Sequence, residues 1–117
     1  MRPEPQAFAE AWVAAWNAHD LEEILSHYAE EIVFTSAAST RFTGDSSGRV
    51  VGKPALRAYW DRALAAYPDL HFTLRGVYAG PDGIAVRYFS SRTGAEAVEV
   101  VRFGADGLVR DSAAYYE

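Results

Sequence analysis

The chain has 117 residues, 50% of them hydrophobic, 14% aromatic and 23% charged, with a formal net charge of −5 and no cysteine. That length supports one core of ordinary size, and the acidic balance argues against nucleic acid, whose phosphates it would repel. The lack of cysteine excludes disulfides, a thiolate nucleophile and cysteine-based metal sites, while the aromatic share suits a lined cavity as well as a core.

The first residues, MRPEPQAFAE, lack the basic end, apolar run and cleavage site of a secretory leader, and no stretch approaches about 18 consecutive apolar residues. The expectation is a soluble cytoplasmic protein with no membrane partner, forming one domain over residues 1–117. Phe8, Ala11, Trp12, Ala15 and Trp16 recur at i, i+3, i+4, i+7 and i+8, which predicts an amphipathic helix over residues 5–18. Asp20 followed by Glu23 reads as a capping box opening a second helix, with Leu21, Ile24, Leu25 and Tyr28 on one face. Ile32-Val33-Phe34-Thr35 is a short strand, and the Ser, Thr and Gly-rich stretch 36–52 is long enough to hold a further short strand or a flap.

Pro54 marks the first turn of a third helix, along which Leu56, Tyr59, Trp60, Ala63, Leu64 and Tyr67 keep helical spacing until Pro68. Beyond it the period changes to two. Residues 70–74 alternate, Gly80-Pro81-Asp82-Gly83 is a turn, and strands are expected over 84–91, 97–103 and 108–116, joined by turns at Thr93-Gly94-Ala95 and Ala105-Asp106-Gly107. Helices first and an antiparallel meander after give an α+β order.

Three segments, AWVAAWNAHDLEEILSHYAEEIVF, VVGKPALRAYWDRAL and VEVVRFGADGLVRDSAAYYE, resemble in order the SnoaL-like, nuclear-transport-factor-2-like superfamily. The resemblance spans nearly the whole chain and implies a cone: a curved mixed or antiparallel sheet wrapped around three helices of the N-terminal half, with a hydrophobic pocket inside. Proteins similar to this one include ketosteroid isomerases, polyketide cyclases, epoxide hydrolases and dehydratases. Alignment places Trp12 where the isomerase has its oxyanion tyrosine, Ser36 where it has its aspartate base and Glu99 where it has its protonated aspartic acid. Of these only Glu99 keeps a carboxyl group, so standard steroid isomerisation is not expected. The acid of the cyclases aligns with Ala114, while Asp111 lies three residues away on the other face of a regular strand, where only a local bulge could bring it in.

Glu99 is the expected catalytic group. If alternation turns Ala97, Glu99, Val101 and Phe103 inward, burial raises its pKa and makes it a general acid or base. The plainer alternatives are an ion pair with Arg87 or Arg92, or a solvent-facing edge position. Trp12, Trp16 and Trp60 stand on helical stripes, which are usually core, yet at least one should touch a ligand. Tyr88, Ser90, Ser112 and Tyr116 are polar contacts by alternation and pairing with Glu99, and Ser36 joins them by its aligned position. His71, opposite in facing to Leu70 and Phe72, is a rival base if that face is the pocket. His19 reads as an exposed connector and His27 as a satisfied surface histidine, and the three lack metal-site spacing. Arg41, Asp45, Arg49 and Lys53 either meet a polar substrate at the cone's mouth or only solvate the loop.

Two functions follow from different classes. One is a cofactor-independent isomerase, cyclase or hydrolase-type enzyme acting by general acid–base chemistry on a hydrophobic, oxygenated small molecule. The other is a non-catalytic ligand-binding or interaction module of the same fold. Either is expected to form a homodimer through the outer sheet face that carries Val98 and Val100.

Overall fold

The computed structural model describes residues 2–117. Helix α1, Pro5–Asn17, starts where the Glu4 carboxylate accepts the amides of Gln6 and Ala7 with proline in the first turn, and it buries Phe8, Ala9, Trp12, Ala15 and Trp16. The chain then reverses through His19 at φ 55°, and the Asp20 carboxylate accepts the Glu23 amide at 3.2 Å to open helix α2, Leu21–Leu25. Tyr28 does not extend this helix as its spacing suggests. It begins strand β1, Tyr28–Thr35, because the Val109 amide donates to the His27 carbonyl at 2.8 Å and Tyr28 itself pairs with Val109.

Residues 36–52 hold more than the expected short strand. Ser36 Oγ accepts the Ala38 amide to open a single 3₁₀ turn, Ala37–Ser39, which leads into helix α3, Thr40–Thr43, ended by Gly44 at φ 76°. Strand β2, Arg49–Val51, then pairs antiparallel with β1. Helix α4, Lys53–Ala66, carries Pro54 in its first turn and buries Leu56, Tyr59, Trp60 and Ala63, the stripe read from its spacing.

The remaining strands are β3, Phe72–Ala79, β4, Gly83–Ser90, β5, Ala95–Phe103, and β6, Val109–Tyr116. With β1 and β2 they form a six-stranded sheet ordered β2-β1-β6-β5-β4-β3, in which β1 and β6 are parallel and every other pair is antiparallel. Register shifts interrupt the β1–β6, β3–β4 and β5–β6 ladders, and bulges of this kind increase the twist and bend a sheet. The resulting α+β fold is a curved mixed sheet whose inner face carries the core with the helices. No helix among the described residues is long and apolar enough to cross a membrane.

Candidate functional site

Strand β5 alternates as its sequence predicts: Ala97, Glu99, Val101 and Phe103 are buried on the inner face. Glu99 lies opposite Val86 of β4 and Ala114 of β6, so its carboxyl group is flanked by apolar side chains and is only 3% exposed. Ser112 Oγ donates to Glu99 Oε2 at 2.5 Å. Burial pushes the pKa up to about 7, against the opposing effect of the Ser112 hydrogen bond, because a charged carboxylate loses its hydration there. The expected ion-pair alternatives do not form. Arg87 is bonded to Glu96 at 2.9 Å, and Arg92 stands over the Tyr116 ring.

Glu99 faces a cavity of about 660 Å³ of empty space, its open mouth included. Trp12, Trp16, Trp60, Tyr88, Ser90 and Tyr116 are all in its wall, with Phe34, Phe72 and Tyr59 beside them. Their rings interlock: Trp12 stacks on Phe72 at 5.6 Å, Phe72 lies 4.4 Å from Tyr88, and Trp16 meets Trp60 edge-on at 5.0 Å. The Trp12 indole donates to Tyr28 Oη at 3.0 Å, so its only N–H is already committed. The Trp16 Nε1 is buried without a partner.

Ser36 and Ser112 depart from the expected direct contacts, since neither is in the cavity wall. Each is buried behind a residue that is: Ser112 bonds Glu99, and Ser36 Oγ lies 2.9 Å from Tyr116 Oη. Burial raises the pKa of the Tyr116 phenol, and Tyr28 and Tyr88 are raised by burial first and by the nearby Glu99 charge second. These phenols stay protonated and act as neutral donors.

His71 is exposed, with Leu70 and Phe72 turned to the cavity instead, so the rival base is outside the pocket. His19 is not a free connector, because its Nε2 lies 2.8 Å from the Leu70 carbonyl. His27 is half-buried with an unpartnered Nε2 against the Phe8 ring rather than satisfied at the surface. Among the described residues no three His, Asp or Glu side chains are gathered to hold a metal. Of the loop charges, Arg41 reaches the cavity wall while Asp45, Arg49 and Lys53 do not. Asp45 instead accepts from the Ser47 amide and hydroxyl.

A bulge does interrupt β6 between Val109 and Asp111, but it leaves Asp111 outside, 3.3 Å from Arg102, and Ala114 inside opposite Glu99. Arg92, Tyr28, Tyr59 and Tyr67 were not singled out as site residues from sequence. Arg92 sits in the turn between β4 and β5, where no local pattern marks it as part of the cavity wall.

Fold and site together define an α+β cone built around an aromatic, sparsely polar pocket with a protonatable carboxyl group in its wall. The chain belongs to the SnoaL-like domain family, whose model matches residues 9–112. A SnoaL-like protein of unknown function from Burkholderia thailandensis is 42% identical, with a TM-score of 0.91 over 97% of this chain and 99% of that one. RV0760c from Mycobacterium tuberculosis is 26% identical, with a TM-score of 0.74 over 97% of this chain and 95% of that one. The same protein in complex with estradiol-17β-hemisuccinate matches at 24% identity and a TM-score of 0.75, covering 98% and 95% of the two chains. No protein of curated function matches this chain.

Proposed function

We propose that this protein takes a hydrophobic, oxygenated small molecule into the cone and acts on it by general acid–base chemistry, with Glu99 as the proton carrier. The observation that supports this reading is the placement of Glu99: a buried carboxyl group on the wall of an aromatic cavity, held by a single serine hydroxyl, with a pKa of about 7. A group so tuned is half-protonated near neutral pH, where it donates to a carbonyl oxygen or removes a proton beside one with comparable ease. Trp12, Trp16, Trp60 and Tyr88 would enclose the apolar body of the ligand, while Ser90 and Tyr116 offer polar contacts. Ser36 and Ser112 act as positioning residues behind Tyr116 and Glu99. No cofactor is required by this chemistry. The steroid-like ligand carried by RV0760c supports a molecule of that general character.

The commitment of the Trp12 N–H to Tyr28 favours a second reading, a binding module without turnover, because it removes a donor from the site. The two are separated by proton exchange in β-tetralone, a hydrophobic ketone with acidic α-hydrogens, followed by NMR in deuterated buffer. Exchange accelerated by wild type and lost in Glu99→Gln supports catalysis. Binding detected by tryptophan fluorescence with no acceleration leaves the binding module. The same proposal keeps the protein as a homodimer joined by the outer sheet face, and as a cytoplasmic one.

A further inference from the structure

The mouth of the cavity carries a feature that acid–base chemistry at Glu99 does not use. Arg41, from α3, and Arg92, from the turn between β4 and β5, both stand in the wall of an otherwise aromatic pocket. Arg41 Nη1 donates to Tyr67 Oη at 2.8 Å, and the two guanidinium carbons lie 5.9 and 5.8 Å from the same Tyr67 ring centroid. Arg92 is also 5.1 Å from the Tyr116 ring, so aromatic faces fix both cations in place.

Neither cation is neutralised. Among the described residues Arg57, Arg75, Arg87 and Arg102 have carboxylates within ion-pair distance; Arg41 and Arg92, like Arg2, Arg49, Arg62 and Arg110, do not, but of these six only Arg41 and Arg92 stand in the cavity wall. Two unneutralised guanidiniums held against one tyrosine repel each other, and they do so in a chain whose net charge is −5 and which has acidic side chains to spare. A guanidinium presents five N–H donors, and the bond to Tyr67 uses one of those on Arg41. The remaining fork matches a carboxylate, which accepts two parallel hydrogen bonds and removes the repulsion.

We infer that the ligand is a hydrophobic acid, bound with its carboxylate at Arg41 and Arg92 and its apolar, oxygen-bearing body directed inward toward Glu99. This rests on the pocket-binding reading above and names the class of molecule that reading leaves open. The geometry gives the ligand two ends: an anionic one at the mouth, where water and cations meet, and a neutral oxygen inside, where a buried carboxyl group can share a proton with it. An entering neutral molecule of the same shape would leave both guanidiniums unpaired.

The test compares naphthylacetate with naphthylacetamide, two probes of one shape that differ in charge, by calorimetry and quenching of tryptophan fluorescence. Wild type should bind the acid about tenfold more tightly than the amide at low ionic strength. Added salt should narrow that ratio, because the contact is at a wet mouth. Arg41→Gln/Arg92→Gln should bring the two probes to within about twofold while keeping the affinity for the amide. Equal binding of acid and amide by wild type, or a preference that survives the double substitution, overturns the inference and leaves the pocket reading standing. Binding of neither probe to wild type overturns both. Should the double variant also lose the amide, the salt series on wild type decides: an acid preference indifferent to salt rejects the arginine contact.

Discussion

At Glu99 a single side chain combines burial, one hydrogen bond and access to a cavity, and its protonation is therefore tied to the stability of the protein. Folded, the carboxyl group has a pKa of about 7, against an unfolded value of about 4.3. Between these values the native state holds more protons than the unfolded chain, so unfolding free energy falls as pH rises through that window and levels off above it. Glu99→Gln cannot titrate, so the wild type should lose about 3 kcal/mol relative to it between about pH 4.5 and pH 7, with little further change to pH 9. Urea denaturation of both proteins along a pH series measures the difference, and a flat difference would remove Glu99 as a raised acid. The inward facing of Glu99 was legible from period-two alternation in an apolar strand. The roles of Ser112 and Ser36 were legible only as inward polar positions, since alternation gives the face of a residue and not which neighbour stands between it and the cavity.

Element by element, legibility follows the range of the forces involved. Helices α1 and α4 are visible in sequence because their stripes repeat over several turns and each carries proline in its first turn. Tyr28 continues the helical spacing of Leu21, Ile24 and Leu25, yet it belongs to β1, because its partner Val109 lies far along the chain and no local pattern announces it. The helical turns within 36–52 are too short to show a period. Arg92 was invisible as a site residue for a different reason: it lies in the short β4–β5 turn, and only the curvature of the whole sheet decides that this turn borders the pocket. The β4–β5 ladder contains a close approach that only glycine permits, since a Cβ on Gly83 would overlap the Val101 carbonyl oxygen. Gly83→Ala should therefore force the two strands apart and cost about 1–3 kcal/mol, read as a lower urea midpoint at neutral pH. An unchanged midpoint would mean the strands part at no cost.

Taken whole, the molecule keeps its polar chemistry inside the cone and leaves an apolar strip outside it. Val98 faces Tyr115 across the β5–β6 ladder and Val100 faces Ala113, and Tyr115 is 63% exposed. The expected assembly is a homodimer that covers this strip, and light scattering behind size exclusion should report twice the chain mass at micromolar concentration. Tyr115→Glu should shift that mass toward one chain, because it buries a charge in an apolar contact. A wild type that elutes only as a monomer ends the expectation. The parallel pairing of β1 with β6, where Phe34 meets Ser112 and Thr35 meets Ala113, also governs how the protein is made. The strand that lies beside β1 at the centre of the finished sheet is the last of the six in chain order, so β1 and β2 emerge from the ribosome before it and wait without that neighbour until it follows. Closing the sheet is then a non-local and comparatively slow event. During that wait the apolar inner face of β1 is open to chaperones, and to other nascent chains.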